Sequence, residues 1–187
     1  MASPWSSLQI VTLAVEALTP LAVAGVGYFV AKTSRRIEEI QWANQTVVTR
    51  RLEIFAEVAP ALNRLLCFGT FVGSWKETAP AQATVLKRKL DETMYANRVI
   101  FTDSLFLAYQ NFMATIFEMY ASVDGDAPFR VPISSELGDR RNMPWWHNTM
   151  TALFSAKSPV DRQHVQAAYS ELEERFRADL YVAHEGH

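Results

Sequence analysis

The sequence predicts an all-α fold, with one N-terminal transmembrane helix followed by a cytosolic helical bundle. The first observation is an apolar segment, residues 8–31. Its length of about 24 residues, at a rise of about 1.5 Å each, spans a hydrocarbon layer of roughly 30 Å. The second observation is that apolar residues recur at helical spacing through the rest of the chain, where no strand-like alternation stands out. We therefore predict a transmembrane helix at residues 8–31, a membrane-proximal helix or stalk at residues 32–58 and a cytosolic helical domain at residues 59–187.

Positive charge on one side of the apolar segment predicts its orientation. Lys32, Arg35 and Arg36 follow the segment directly, whereas the residues before it contain no lysine or arginine. Cytoplasmic flanks are enriched in these residues, so we predict a single-pass protein with its N-terminus outside and its C-terminal domain in the cytoplasm. A cleaved signal peptide is disfavoured, because such a peptide begins with positive charge and has a shorter apolar core.

The polar residues of the apolar segment are predicted to line a pore. Gln9, Thr12, Glu16 and Thr19 are spaced three, four and three residues apart, which places them on one face of a helix. An isolated carboxylate facing lipid is costly, and several copies of the helix remove that cost by turning their polar faces inward. The prediction is a homo-oligomer with these four side chains around a wet lumen. The alternative is that Glu16 is protonated or reaches the membrane interface.

Turn and capping residues divide the remaining chain into helices. Pro60 is predicted to kink or restart the helix in which it lies, and Thr102 and Ser158 resemble N-caps. Val85, Leu86, Leu90, Met94 and Tyr95 are assigned to the buried face of the helix at residues 81–99. The predicted elements after the membrane segment are a helix at residues 32–58, a core helix at residues 61–73, helices at residues 81–99 and 103–123, a short helix from Pro144 and a last helix from Pro159.

The usual signatures of an enzyme are missing from the sequence, which predicts a non-enzymatic protein without a metal or another cofactor. There is no phosphate-binding glycine loop, GxSxG, HExxH or CxxC motif. The acidic loop at residues 124–126 lacks the spaced acids and closing glutamate of an EF-hand. The single cysteine, Cys67, lies in an apolar run and is predicted to be a buried structural thiol.

Clustered basic residues predict an anion site in the cytosolic domain. Arginine and lysine side chains gathered on one face of a helical bundle would bind a phosphodiester. The alternative is that they are solvated and balanced by the 20 acidic residues of the chain. The residues predicted to bind the ligand are Arg50, Arg51, Lys87, Arg88, Lys89 and Arg98.

Several short motifs resemble a family of small, single-span bacterial membrane proteins of anti-phage defence operons. The motifs are RRLEIF at residues 50–55, LNRLL at residues 62–66, FVGSWKE at residues 71–77, LKRKLD at residues 86–91, Phe101 and NFM at residues 111–113. The nearest functional type is the channel effector of the Hailong system. The resemblance covers about residues 50–120 and transfers no site residue. It implies a bacterial inner-membrane location and a channel controlled by a nucleotide-derived ligand.

The leading hypothesis is an oligomeric inner-membrane effector, a ligand-gated ion channel acting in anti-phage defence. Its expected partners are the lipid bilayer, further copies of the same chain and a nucleotide or oligonucleotide ligand made by a partner enzyme. The first alternative is a membrane-tethered adaptor whose helical bundle docks a partner protein. The second is a membrane-bound enzyme with a site that sequence motifs do not reveal.

Overall fold

The computed structural model describes residues 7–118, 126–155 and 159–181. Side chains are described for residues 28–35, 45–118, 126–155 and 159–180. The chain divides into two compact units, Met1–Thr46 and Val47–His187. The predicted boundary after residue 58 stays a prediction, although Ile54 and Val58 are already buried in the core of the second unit.

The described part of the first unit is helical. Helix α1, Ser7–Thr70, includes this part and continues into the second unit. No helix within the described residues combines the length and apolar character needed to cross a membrane. The side chains of residues 8–27, most of the predicted transmembrane segment, lie outside the described residues. The transmembrane helix therefore stays a prediction.

The second unit is built around the C-terminal part of α1. Residues spaced three or four apart on this helix are at most 2% exposed: Ile54, Val58, Leu62, Leu65 and Phe68. The helix continues through Pro60, so the predicted restart does not occur there. A proline inside a helix costs about 3 kcal/mol. Burial of apolar side chains on both sides of it contributes about 1.5–3 kcal/mol for each side chain, which outweighs that cost.

Within the described ranges, three further α-helices pack with α1 in the bundle. They are α2, Pro80–Ala96, α3, Asp103–Ile116, and α4, Arg162–Tyr181. Thr102 caps α3 as predicted, since its hydroxyl accepts a hydrogen bond from the backbone N–H of Leu105 at 3.3 Å. The predicted cap of the last helix, Ser158, lies outside the described residues. The Asp161 carboxylate accepts a hydrogen bond from the His164 backbone N–H at 2.8 Å.

Helix α3 ends earlier than predicted because the chain turns into an extended conformation. Phe117 has extended backbone angles (φ −120°, ψ 140°) and forms an antiparallel bridge with Phe129. Phe129 also bridges Phe154. Their rings stack around Phe129, with centroids 5.2 Å and 5.3 Å away. Burial of this aromatic cluster stabilises the extended backbone at Phe117, and residues 119–123 of the predicted helix lie outside the described residues.

The mostly helical fold agrees with the predicted all-α class, apart from one two-stranded ribbon. Strands β1, Ser134–Ser135, and β2, Gly138–Asp139, pair in antiparallel register. The short helix predicted from Pro144 begins later, at Asn148, and is a 3₁₀ helix, Asn148–Leu153. A shorter 3₁₀ helix, Arg140–Asn142, precedes Pro144.

Helix α4 closes the core against α1 and α3. The Phe176 ring lies 5.1 Å from Phe55, and Tyr169 lies 5.3 Å from Phe112. Cys67 is a buried free thiol, as predicted. The predicted burial of Leu90 and Met94 is confirmed, whereas that of Val85 and Tyr95 is wrong, since they are 61% and 49% exposed. The other buried positions of α2 are Pro80 and Ala83.

Candidate functional site

A cleft with charged walls lies between α1 and α2 in the second unit. We call it the α1–α2 groove. It has a volume of about 240 Å³, and its lining residues are Glu57, Val58, Pro60, Ala61, Arg64, Leu86, Lys89, Leu90 and Thr93. Its floor is apolar, and its polar groups come from both helices. A cleft with few polar groups above an apolar floor is typical of small-molecule sites.

Helical spacing explains why these residues meet. Glu57, Ala61 and Arg64 are four and three residues apart, so they lie along one face of α1. On α2, Lys89 and Thr93 are four residues apart and also share a face. The small Ala61 side chain leaves space between the helices.

The groove holds two cations and one carboxylate. The Lys89 ammonium lies 3.9 Å from Oε1 of Glu57, and the Thr93 hydroxyl donates to the same oxygen at 3.4 Å. Among the described residues, Arg64 forms no ion pair and no hydrogen bond through its side chain. The excess of positive charge favours an anionic ligand, and arginine suits phosphate or carboxylate because its donors bind in pairs.

Of the residues predicted to bind the ligand, Lys89 lies in this groove. Arg50 is paired instead with Glu53 at 3.0 Å and also donates to the Asn97 side chain at 3.5 Å. Arg88 is paired with Asp126 at 2.6 Å. Arg50 and Arg88 are largely exposed and engaged with acids of their own.

The other three predicted residues are engaged in contacts within the fold. Arg51 donates to the Ile100 carbonyl at 2.6 Å and to the Asp179 carbonyl at 2.7 Å. Lys87 is paired with Asp91 at 2.6 Å and is only 15% exposed. Arg98 pairs with Asp103, and its guanidinium lies 4.5 Å from the Phe106 ring centroid. The six predicted residues therefore have separate partners.

The residues predicted to line the pore are Gln9, Thr12, Glu16 and Thr19. Their backbone belongs to α1. Their side chains lie outside the described residues, and their role stays a prediction.

Two groove residues that the prediction missed are Glu57 and Arg64. Most of the predicted residues lie in runs of like charge, at residues 50–51 and 87–89, whereas Glu57 and Arg64, like the predicted Arg98, stand alone in the sequence. Their spacing of seven residues on a helix was available as a signal. The sequence does not indicate that Lys89, on a second helix, lies close to Glu57.

A second cleft, of about 410 Å³, lies between α3 and α4. Its polar walls come from Asn111, Arg130, His164 and Glu171. Arg130 is anchored there by its hydrogen bond to the Ala114 carbonyl at 2.8 Å. Among the described residues no three histidine, cysteine or acidic side chains are grouped to hold a metal.

Among the described side chains, the most deeply buried charge is Arg140, which the sequence presents as half of an arginine doublet. It is 0% exposed, and its guanidinium carbon lies 4.0 Å and 4.2 Å from the rings of Phe68 and Phe71. It donates to the carbonyls of Phe68 and Pro132, while Nη1 has no partner in the described chain. Burial lowers the pKa of Arg140. Its contacts identify it as a structural anchor within the core.

Comparison with protein-family models, curated proteins and solved structures finds no match to this chain. The resemblance to anti-phage membrane proteins therefore stays a prediction.

Proposed function

We propose that this protein is an oligomeric bacterial inner-membrane effector, an ion channel controlled by an anionic ligand and acting in anti-phage defence. The observation that carries the proposal is the exposure of Tyr28, Phe29 and Val30, which are 71%, 71% and 56% exposed. Successive side chains on a helix point about 100° apart, so these three cover most of its circumference. A bilayer covers such a surface on all sides, whereas one packed protein face covers only part of it.

The charge that follows these residues supports the membrane assignment. Lys32 and Arg35 are exposed and come within one or two turns of Val30. Basic residues at this position are typical of the cytoplasmic end of a transmembrane helix. In the proposed orientation, the bundle of the second unit is cytoplasmic.

The polar face of the apolar segment supports an oligomeric pore. A carboxylate at Glu16 costs several kcal/mol in lipid, and a ring of copies around water removes most of that cost. Such a ring favours cations over anions.

The α1–α2 groove is the proposed site of ligand control. Arg64 and Lys89 supply two positive charges, and the groove contains one carboxylate, Glu57. Phosphate groups of a nucleotide or oligonucleotide from a partner enzyme would satisfy both cations. Ligand binding would then control conduction through the predicted pore.

Conductance in planar bilayers tests the channel. The wild type is compared with Glu16→Gln, which removes the charge and keeps the size, and with Glu16→Leu, which makes the predicted pore face apolar. We expect weaker cation preference for the Gln variant and loss of current by dewetting for the Leu variant. The matched control is Ala14→Leu, which adds apolar bulk about 160° away on the helix and should keep its current. Unchanged current in the Glu16→Leu variant contradicts the pore-lining role.

A membrane-tethered adaptor is the second candidate, and exposed apolar side chains favour it. Val99 is 92% exposed between α2 and α3, and Leu107 on α3 is 57% exposed. Exposed apolar groups of this kind contribute to protein interfaces. The absence of current from every variant, with membrane insertion intact, would favour the adaptor over the channel.

A further inference from the structure

We propose that Glu57 occupies the anion-binding position of the α1–α2 groove in the absence of ligand, and that an incoming anion must displace it. This inference depends on the proposed role of the groove as the ligand site. It assigns to Glu57 the role of a built-in competitor that sets the affinity of the site.

The geometry supports a displaceable contact. A single oxygen of Glu57, Oε1, faces both the Lys89 ammonium at 3.9 Å and the Thr93 hydroxyl at 3.4 Å. Good hydrogen bonds between these atom types are about 2.5–3.2 Å long, so neither contact is tight. The Glu57 and Lys89 side chains are also 49% and 65% exposed, which leaves them accessible to a ligand. A phosphate oxygen that approaches more closely would bind the same two donors better than Glu57 does.

The position of Arg64 indicates the chemical class of the ligand. It follows Glu57 by seven residues on α1, a rise of about 10 Å along the helix axis. An anion that replaces Glu57 at Lys89 and also reaches Arg64 must carry charged oxygens at more than one place. The inferred class is a polyvalent anion, with pyrophosphate as the simplest member, in preference to a monovalent carboxylate.

Removal of the Glu57 charge should strengthen binding. A like charge at about 4 Å opposes the ligand by roughly 1 kcal/mol where water screens the pair, a factor of about five in affinity. We expect full-length Glu57→Gln in detergent to bind pyrophosphate about fivefold more tightly than the wild type in isothermal titration calorimetry. Lys89→Ala should weaken pyrophosphate binding in both the wild-type and the Glu57→Gln background, because it removes a donor that the ligand uses.

Glu53→Gln is the matched control. Glu53 lies one helical turn before Glu57 on α1 and pairs with Arg50 at 3.0 Å, outside the groove lining. Glu53→Gln removes the same charge as Glu57→Gln. Because position 53 lies outside the groove, we expect the pyrophosphate affinity of this variant to stay close to that of the wild type. Helical content by circular dichroism verifies that each variant is folded.

The outcomes separate this inference from the proposed site. Tighter binding in Glu57→Gln alone supports the competitor role. Equal pyrophosphate affinity of Glu57→Gln and the wild type overturns the role of Glu57 but leaves the groove as an anion site. An increase in affinity for Glu53→Gln as large as that for Glu57→Gln has the same consequence. Absence of pyrophosphate binding in every folded variant overturns both the groove and the inference. The channel itself is tested separately by conductance.

Discussion

The guanidinium carbon of Arg140 lies 4.2 Å from the ring centroid of Phe71, the residue whose left-handed backbone (φ 58°) ends helix α1. The N–H of Val72 donates to the Cys67 carbonyl at 3.4 Å across this turn, as in a Schellman motif. A non-glycine residue in this conformation costs about 1–3 kcal/mol. Contact with a buried cation contributes up to about 2 kcal/mol, so the arginine offsets much of the strain.

Arg140→Ala should destabilise the second unit strongly. The change removes donors from the Phe68 and Pro132 carbonyls and leaves a cavity among aromatic rings. Lost hydrogen bonds and a cavity together cost about 3 kcal/mol or more. The measurement is the denaturant midpoint of the full-length chain. The adjacent Arg141 is paired with Asp139 on the surface, and Arg141→Ala should leave the midpoint nearly unchanged. Similar midpoints for the two variants would contradict the buried-anchor role.

Lys87→Met should alter stability without altering pyrophosphate affinity. Lys87 and Tyr109 both bind the Asp91 carboxylate, each at 2.6 Å. Burial, followed by the hydrogen bond to Asp91, raises the pKa of Tyr109. Loss of one such bond costs about 1 kcal/mol, and a double-mutant cycle with Tyr109→Phe should reveal coupling. Arg88→Met, with the exposed partner Asp126, is the control and should leave stability nearly unchanged. A lower pyrophosphate affinity in Lys87→Met but not in Arg88→Met would indicate that Lys87 binds the ligand.

Arg51→Met should weaken the contacts between three elements that the Arg51 guanidinium joins. The side chain connects α1 to the Ile100 carbonyl and to the Asp179 carbonyl of α4. Without it, two carbonyls lose charged donors, at a cost of about 1.5–3 kcal/mol for each bond if water cannot replace them. Arg50→Met is the matched control, since Arg50 is 54% exposed and its exposed ion pair contributes about 0–1 kcal/mol. Hydrogen exchange of α4 is the readout. Equal protection of α4 in both variants would contradict the joining role.

Local chemistry made part of the fold predictable. Thr102 before α3 acts within a few residues of its own position, so the sequence alone indicates that helix start. The end of α3 was not predictable in this way, because it depends on the distant Phe129 pairing with Phe117.

The basic residues show more clearly which features of the fold cannot be predicted from the sequence alone. Arg140 and Arg141 are neighbours of the same type, yet one is fully buried and the other is exposed. Partners far along the chain decide between these outcomes, such as the Phe68 carbonyl for Arg140. Lys89 was predicted as a ligand residue from its charge, whereas its place in one groove with Arg64 depends on the packing of α1 against α2.

The hydrogen bond from Arg51 to the Asp179 carbonyl spans 128 residues of sequence, which has a consequence for synthesis on the ribosome. At about 5–20 residues per second, the ribosome needs on the order of ten seconds to make the intervening chain. Throughout that interval the Phe55 side of α1 lacks Phe176, its ring partner at 5.1 Å. The nascent chain thus presents an uncovered aromatic surface for seconds, long enough for a chaperone to bind it before α4 arrives.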